Sequence, residues 1–312
     1  MIHLRIVAPV DRSERVVELL EASESTSNLV CLPDAARKPA GDVIFCDVAR
    51  EDASVLIDDL RELGIPEDGS IAIEQIDSHI SEAAERAVSA ARGAPSDAVV
   101  WEEVEARTSE STELGGHFLI FMVLSCLIAA IGIYLESPIL IIGGMVVGPE
   151  FGPLAGLCVA IVDRRRDVAW RSLTALAIGF PLAIAAAFLF TLFADTTGLL
   201  DSGFESSEHL LTDFIAHPDT FSFIVAALAG AAGVLSLTSA KSGALIGVLI
   251  SVTTILAAAN IGIALALGDW AEWRGAIAQL AVNLSAIILA GVATLQIQRS
   301  LYRRRRRLHR AE

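Results

Sequence analysis

Ile141-Ile142-Gly143-Gly144-Met145-Val146-Val147-Gly148-Pro149-Glu150-Phe151-Gly152-Pro153-Leu154 sets two Gly-Pro pairs and a carboxylate inside a run of apolar sequence. Apolar flanks on both sides place the interruption near the middle of a lipid bilayer. Loosened backbone groups and a charge are expensive there, and they persist only when buried in protein or lining a wet cavity. A helix broken at Gly148-Pro149 and again at Gly152-Pro153 leaves carbonyls without donors ahead of each proline, which has no N–H. With Glu150 those carbonyls form an oxygen-rich patch suited to a cation or a proton. The half-helix after Pro153 would instead offer N–H groups and a positive dipole end to an anion. The carboxylate tips the reading toward the cation or proton.

Six spans follow from the apolar runs around that segment: 117–135, 138–162, 170–194, 220–239, 242–267 and 275–298. Each is near the roughly 20 residues that cross a bilayer. Arg164, Arg165, Arg166 and Arg171 follow the second span, and Arg299, Arg303 to Arg307 and Arg310 follow the last. Residues 195–219 hold no Lys or Arg but carry Asp195, Asp201, Glu205, Glu208, Asp213 and Asp219. The positive-inside rule puts the Arg-bearing segments, Lys241 and both termini in the cytoplasm and the acidic loop outside. The expected setting is the bacterial inner membrane.

Three spans followed by three spans place two like halves in opposite orientations, the 3+3 inverted repeat of many transporters. The middle span of each half is the unusual one. The second carries Gly144, Gly148, Gly152 and Gly156, and the fifth carries Ser239, Gly243, Gly247 and Ser251, both at four-residue spacing that lets backbones approach. The second span is expected to be discontinuous, and in the fifth a break remains open.

The chain's acidity sits in its front third. Residues 1–116 carry 25 Asp and Glu against 10 Lys and Arg, whereas residues 117–312 carry 13 of each. A sequence pI near 4.8 excludes nucleic acid as a partner, because phosphate binding needs clustered positive charge. Met1-Ile2-His3-Leu4-Arg5 enters a strand without a basic leader and apolar core, so no signal peptide is expected. Cys31, Cys46, Cys126 and Cys158 have no metal-like spacing and read as reduced, small hydrophobes.

Residues 1–77 read as a cytosolic ferredoxin-like βαββαβ domain. Strands are expected at Ile2–Ala8, Asn28–Leu32, Asp42–Val48 and Ser70–Ile76. Helices follow the first and third strands, the first with Val16, Val17, Leu19 and Leu20 on one face and the second with Val55, Leu56, Leu60 and Leu63 inward. Leu4, Ile6, Val16, Leu20, Val43, Phe45, Leu56, Leu60, Ile71 and Ile73 are the expected core. Pro33-Asp34 closes the second strand and leads into a polar loop. Residues 78–116 form an acidic helical connector, with helices at Ser81–Arg92 and from an Asp97 cap to Arg107. Residues 117–298 are the six-span domain and residues 299–312 a basic cytoplasmic tail. The soluble part shows no phosphate loop and no catalytic pair, so a regulatory or assembly role is expected of it.

Gly143 to Ala160, Gly230 to Gly262 and Val282-Asn283-Leu284 with Ala290-Gly291 carry a resemblance. Within the second stretch, Leu235-Ser236-Leu237-Thr238-Ser239-Ala240-Lys241-Ser242-Gly243-Ala244-Leu245-Ile246-Gly247-Val248 is the most telling part. Over 117–298 the chain resembles the membrane domain of the bacterial domain-of-unknown-function family 389. The resemblance implies an attached soluble domain and supplies no activity. Many members carry prolines in the fifth span, where this chain reads Thr253-Thr254-Ile255-Leu256-Ala257-Ala258-Ala259-Asn260. The Thr hydroxyls and Asn260 still bring polar groups there.

The candidate substrate or ion site is therefore Gly148, Pro149, Glu150, Gly152 and Pro153 with Thr253, Thr254, Asn260 and Asn283. A carboxylate kept from water takes up a proton readily, as a proton-coupled site requires. Asn283 and Gln279 lie one turn apart and serve equally for interhelical hydrogen bonding. Lys241 reads as a snorkelling anchor. Glu205, His209, Asp213 and His217 share a four-residue spacing in the outer loop, which a solvated amphipathic segment explains without a metal. No metal, cofactor or catalytic residue is expected: the spans hold no nucleophile–base pair and no HExxH, so the chain does not read as an enzyme. The expected function is a transporter or channel for a small solute or ion, working in the lipid bilayer as a homo-oligomer. The alternative is a non-transporting sensor or scaffold that recruits a cytosolic partner.

Overall fold

The computed structural model describes residues 1–76, 78–91, 98–199, 219–239 and 253–309. The chain divides into two compact units, Met1–Val104 in one and Glu105–Leu237 with Lys241–Arg305 in the other.

The first unit is built on a four-stranded antiparallel sheet. Its elements are β1 (Ile2–Ala8), α1 (Val10–Glu21), β2 (Thr26–Arg37), β3 (Ala40–Val48), α2 (Arg50–Glu62), the single turn α3 (Ile65–Asp68) and β4 (Ser70–Gln75). The strand order is β2-β3-β1-β4 and every neighbouring pair is antiparallel, the arrangement of a split βαβ fold. Ile2, Leu4, Ile6 and Ala8 alternate inward along β1 and meet Val16, Leu20, Leu56 and Leu60 of the helices.

Two expectations for this unit are corrected. In β3 the buried apolar side chains are Ile44, Cys46 and Val48, while Val43 and Phe45 face the other way. Pairing of Leu4 with Cys46 and Ile6 with Ile44 fixes that phase, because residues opposite each other share a face. In place of a polar loop after Pro33, β2 continues to Arg37 and turns directly into β3. Its register shifts between Leu32 and Ala36, as an exposed edge strand with a proline tolerates.

The first unit also extends past the expected end at residue 77. It includes α4 (Glu82–Ala90), capped by Ser81, and the start of α5 (Trp101–Ser111). Here α5 begins at Trp101, and Asp97 lies outside the described residues. Val100 joins the sheet core with no exposed surface. Arg50 donates to the Ala98 carbonyl at 3.1 Å and to Glu103 at 3.1 Å, and the Ser54 hydroxyl donates to Glu102 at 2.7 Å. Those polar contacts and one apolar anchor fasten the segment to α2.

Burial pushes the Glu102 carboxyl above its ordinary 4.5, while Ser54 and Arg61 draw it back down. A folded state that holds this proton more tightly than the unfolded chain is favoured below pH 4.5 and loses that contribution as pH rises through the raised value. In a fragment of residues 1–111, Glu102→Gln is therefore expected to reduce the fall in stability between about pH 5 and about pH 8. Urea midpoints at the two pH values check this, and an unchanged difference would remove Glu102 as its source.

The second unit is helical: α6 (Gly116–Tyr134), α7 (Pro138–Val147), α8 (Phe151–Asp163), α9 (Arg166–Thr196), α10 (Thr220–Thr238), α11 (Thr254–Leu267) and α12 (Trp270–His309). Among the described residues, four helices are long and apolar enough to cross a membrane: Gly116–Tyr134, Arg166–Thr196, Thr220–Thr238 and Trp270–Arg303. Counting α7 and α8, bent by 48°, as one broken span makes five. The 14 residues of α11 fall short alone, and the first part of the expected fifth span, with Lys241, Gly243, Gly247 and Ser251, lies outside the described residues.

Small residues bring these helices close. A side chain at Gly144 would lie 2.8 Å from the Ser125 carbonyl of α6, and one at Gly230 would lie 2.6 Å from the Ile287 carbonyl of α12. Thr254 through Ala264 are all buried, so α11 is surrounded by protein on every face.

Candidate functional site

The chain breaks once in the second expected span, at residues 148–150. The second interruption expected at Gly152-Pro153 does not occur: α8 starts at Phe151 and places Pro153 in its first turn. At that position the missing N–H would have had no partner in the helix anyway.

Glu150 sits at the start of α8 and is 1% exposed. Its Oε1 accepts a hydrogen bond from the Thr254 hydroxyl at 2.7 Å. Its Oε2 is buried and has no hydrogen-bond partner among the described residues. Gly148 is needed at the break for space: a Cβ there would collide with the Glu150 carboxylate and lie 2.7 Å from Ile255. Taking a carboxylate out of water costs several kcal/mol, on the order of what one hydrogen bond alone does not return. One oxygen is thus satisfied and the other bare, an arrangement that has room in its hydrogen bonding for a further polar partner.

Thr254 opens α11, and Thr253 precedes it. The Thr253 hydroxyl accepts from the Asn283 amide at 2.8 Å, and Asn283 Oδ1 accepts from Gln279 at 3.2 Å. The helix break, the start of α11 and the buried polar face of α12 thus meet at one place. Gly148, Glu150, Thr253, Thr254 and Asn283 come together there, with Pro149 in the break and Gly152 and Pro153 just inside α8.

Asn260 is the exception. It lies on the same helix but turned to another partner, donating to Glu272 Oε1 at 2.7 Å. Glu272 is 4% exposed and lies outside the candidate set read from the sequence. Its signal was spacing: Glu272, Gln279 and Asn283 are separated by seven and four residues, which puts all three on one face of α12. A sixth span beginning at residue 275 excludes it, whereas α12 begins at Trp270.

Among the described residues, no group of three or more His, Cys, Asp or Glu is placed to hold a metal. The outer-loop set Glu205, His209, Asp213 and His217 lies outside the described residues.

Residues 145–289 match the family described as Domain of unknown function (DUF389), the family that the residues around the break suggested. The match takes in Glu150, Thr253, Thr254, Asn260, Glu272 and Asn283. An uncharacterized protein of Methanocaldococcus jannaschii is 26% identical over 196 residues, which are 61% of this chain and 58% of that protein. The chain thus spans less than two thirds of the length of this curated relative. No solved structure matches.

Proposed function

We propose that this protein is a membrane transporter or channel for a small solute or ion, in which Glu150 carries a coupling cation or proton. The observation behind this reading is the bare, buried Oε2 of Glu150 at a helix break that two further polar elements converge upon. A scaffold has no need to hold a half-satisfied carboxylate in the middle of an apolar bundle.

A six-span, 3+3 inverted arrangement accounts for more than the helix lengths. The short helices α8 and α11 belong to the second and fifth spans, the middle ones of each half. Both begin within their spans, and their starting ends share the Glu150–Thr254 hydrogen bond. Helix starts meeting at mid-membrane around a polar group are how discontinuous transporter helices build a site. The positive-inside rule applied to the Arg-rich segments favours a reading with both termini in the cytoplasm of a bacterial inner membrane. The acidic α+β unit then regulates or assembles the membrane part, and its exposed edge strand β2 suits pairing in a homo-oligomer.

Flux in proteoliposomes against a panel of inorganic ions and organic acids tests the reading, and its absence across the panel would favour a scaffold. Orientation is checked separately in a Cys31→Ser background. A cysteine placed within 201–213 is expected to react with an impermeant reagent from outside, and one within 303–307 is not. Reversed labelling would overturn both the orientation and the repeat.

A further inference from the structure

Gly156, in the helix that carries Glu150, is packed against a segment outside the Glu150 site. A Cβ at Gly156 would collide with the Thr112 methyl, and would lie 3.1 Å from the Ser172 hydroxyl of α9 and 3.6 Å from the Thr108 carbonyl of α5. Thr112 and Ser172 are fully buried and Thr108 is 1% exposed. The last turn of α5 and the residue after it therefore lie directly on α8, seated where a glycine leaves room. Glu105, earlier on α5, forms an ion pair with Arg165 in the turn between α8 and α9. Arg165 also reaches Asp167 at 3.3 Å, and Asp163 at the end of α8 pairs with Arg299 of α12. Just ahead of Glu105 the same helix belongs to the first unit, where Ser54 and Arg50 donate to Glu102 and Glu103.

The segment is held weakly. Glu105 and Arg165 are 38% and 35% exposed, so solvent screens their attraction. The threonine hydroxyls add no hydrogen bond to α8: Thr112 donates to the Ser109 carbonyl at 2.9 Å, and Thr108 to the Glu105 carbonyl at 3.2 Å. Between them and Gly156, the Ser172 hydroxyl is buried with no hydrogen-bond partner among the described residues. A buried hydroxyl without a partner is unfavourable, and lifting residues 105–112 from α8 would let water reach it. Packing at Gly156 and the ion pair favour the docked segment, while the bare hydroxyl favours its release. Two states of nearly equal free energy are what a switch requires. The switch would act on the site itself, because Gly156 lies six residues from Glu150, about 9 Å along a single helix.

We infer that residues 105–112 are a regulatory strap on α8. Docked, the strap holds the half-helix that begins at Glu150 in place; released, it lets that half-helix move. The inference rests on the transport reading for its purpose, but the strap's grip on α8 is measured without flux.

Hydrogen–deuterium exchange on the full-length protein in mild detergent tests that grip. Glu105→Gln removes the ion pair and is expected to speed exchange over 105–112 about threefold, as loss of an exposed pair implies. Ser172→Ala removes the bare hydroxyl and is expected to slow it about tenfold. In each variant, exchange over 151–160 should change in the same direction. Exchange over 105–112 that is unchanged in either variant, or faster in Ser172→Ala, overturns the inference, and so does a change there that α8 does not follow. Flux is the second readout. In a Cys31→Ser background, cysteines from Thr112→Cys and Gly156→Cys are within reach of a disulfide that ties the strap to α8. Oxidation is expected to cut flux about tenfold and a reductant to restore it, since a locked element no longer changes state. Equal flux in the oxidised and reduced forms overturns control by the strap. Absence of flux from the wild type would sink the transport reading and leave the exchange result to decide the strap alone.

Discussion

Glu150→Gln is expected to reduce coupled flux to background, or to erase its pH dependence, while the protein stays folded. The amide oxygen can still accept from the Thr254 hydroxyl, now 2.7 Å from Oε1, so the link between the break and α11 survives. The new NH2 group replaces Oε2, which has no partner among the described residues, and an unsatisfied buried donor costs about 1–3 kcal/mol. Removing a buried charge returns a comparable desolvation cost, so the net change in stability is small. Binding a coupling ion is different, since an amide neither takes up a proton nor balances a cation. Thr254→Val provides the graded companion. It strips the hydrogen bond that the Thr254 hydroxyl donates to the Glu150 carboxylate and keeps the charge, so it should shift the pH profile without abolishing flux. Wild-type flux with a wild-type pH profile in Glu150→Gln would make this residue structural.

What the sequence revealed depended on how many signals coincided. The apolar runs and Arg-bearing segments are long-range patterns, and the helix ends at 134, 138, 220 and 238 lie within a residue of the expected limits. The strand-and-helix order of the first unit was equally plain. Phase within β3 was not, because Val43-Ile44-Phe45-Cys46 is apolar on both faces and only pairing with β1 decides which side is buried. Local chemistry misled at Gly152-Pro153. A Gly-Pro pair signals a stop mid-helix but is equally at home in a first turn, and the distinction depends on where the helix begins.

At the site, Glu150 was conspicuous because a charge in a run of glycines and prolines has few explanations. Glu272 was hidden because Trp270-Ala271-Glu272-Trp273 looks like an ordinary interfacial start of a helix. Only the turn of α12 that brings it against Asn260 makes it buried. That Thr253 and Thr254 divide their hydroxyls between Asn283 and Glu150 is likewise a matter of helix rotation, which composition does not specify.

The placement of α11 governs both polar pairs, so displacing it should damage stability and function together. Its Gly262 packs directly against α9: an added Cβ would lie 2.7 Å from the Ile184 carbonyl oxygen, 2.8 Å from the Ala187 Cβ and 2.9 Å from the Phe188 nitrogen. Two of these three neighbours are backbone, which cannot swing aside as a side-chain tip can. Gly262→Ala must therefore push the helices apart, at a cost of about 1–3 kcal/mol. Alanine also favours a helix over glycine by about 0.5–1 kcal/mol, so the net loss is somewhat smaller than the clash. Gly143 in α7 is the control, because an added Cβ there meets nothing within 4 Å. Gly143→Ala should leave the melting temperature in detergent unchanged or raise it, and Gly262→Ala should lower it. Since α11 shifts as a unit, its Thr254 also moves from Glu150, and flux should fall in Gly262→Ala even at temperatures where the protein remains folded. Equal melting temperatures for the two variants would mean that α9 and α11 yield easily, and that the Glu150–Thr254 contact does not depend on their close approach.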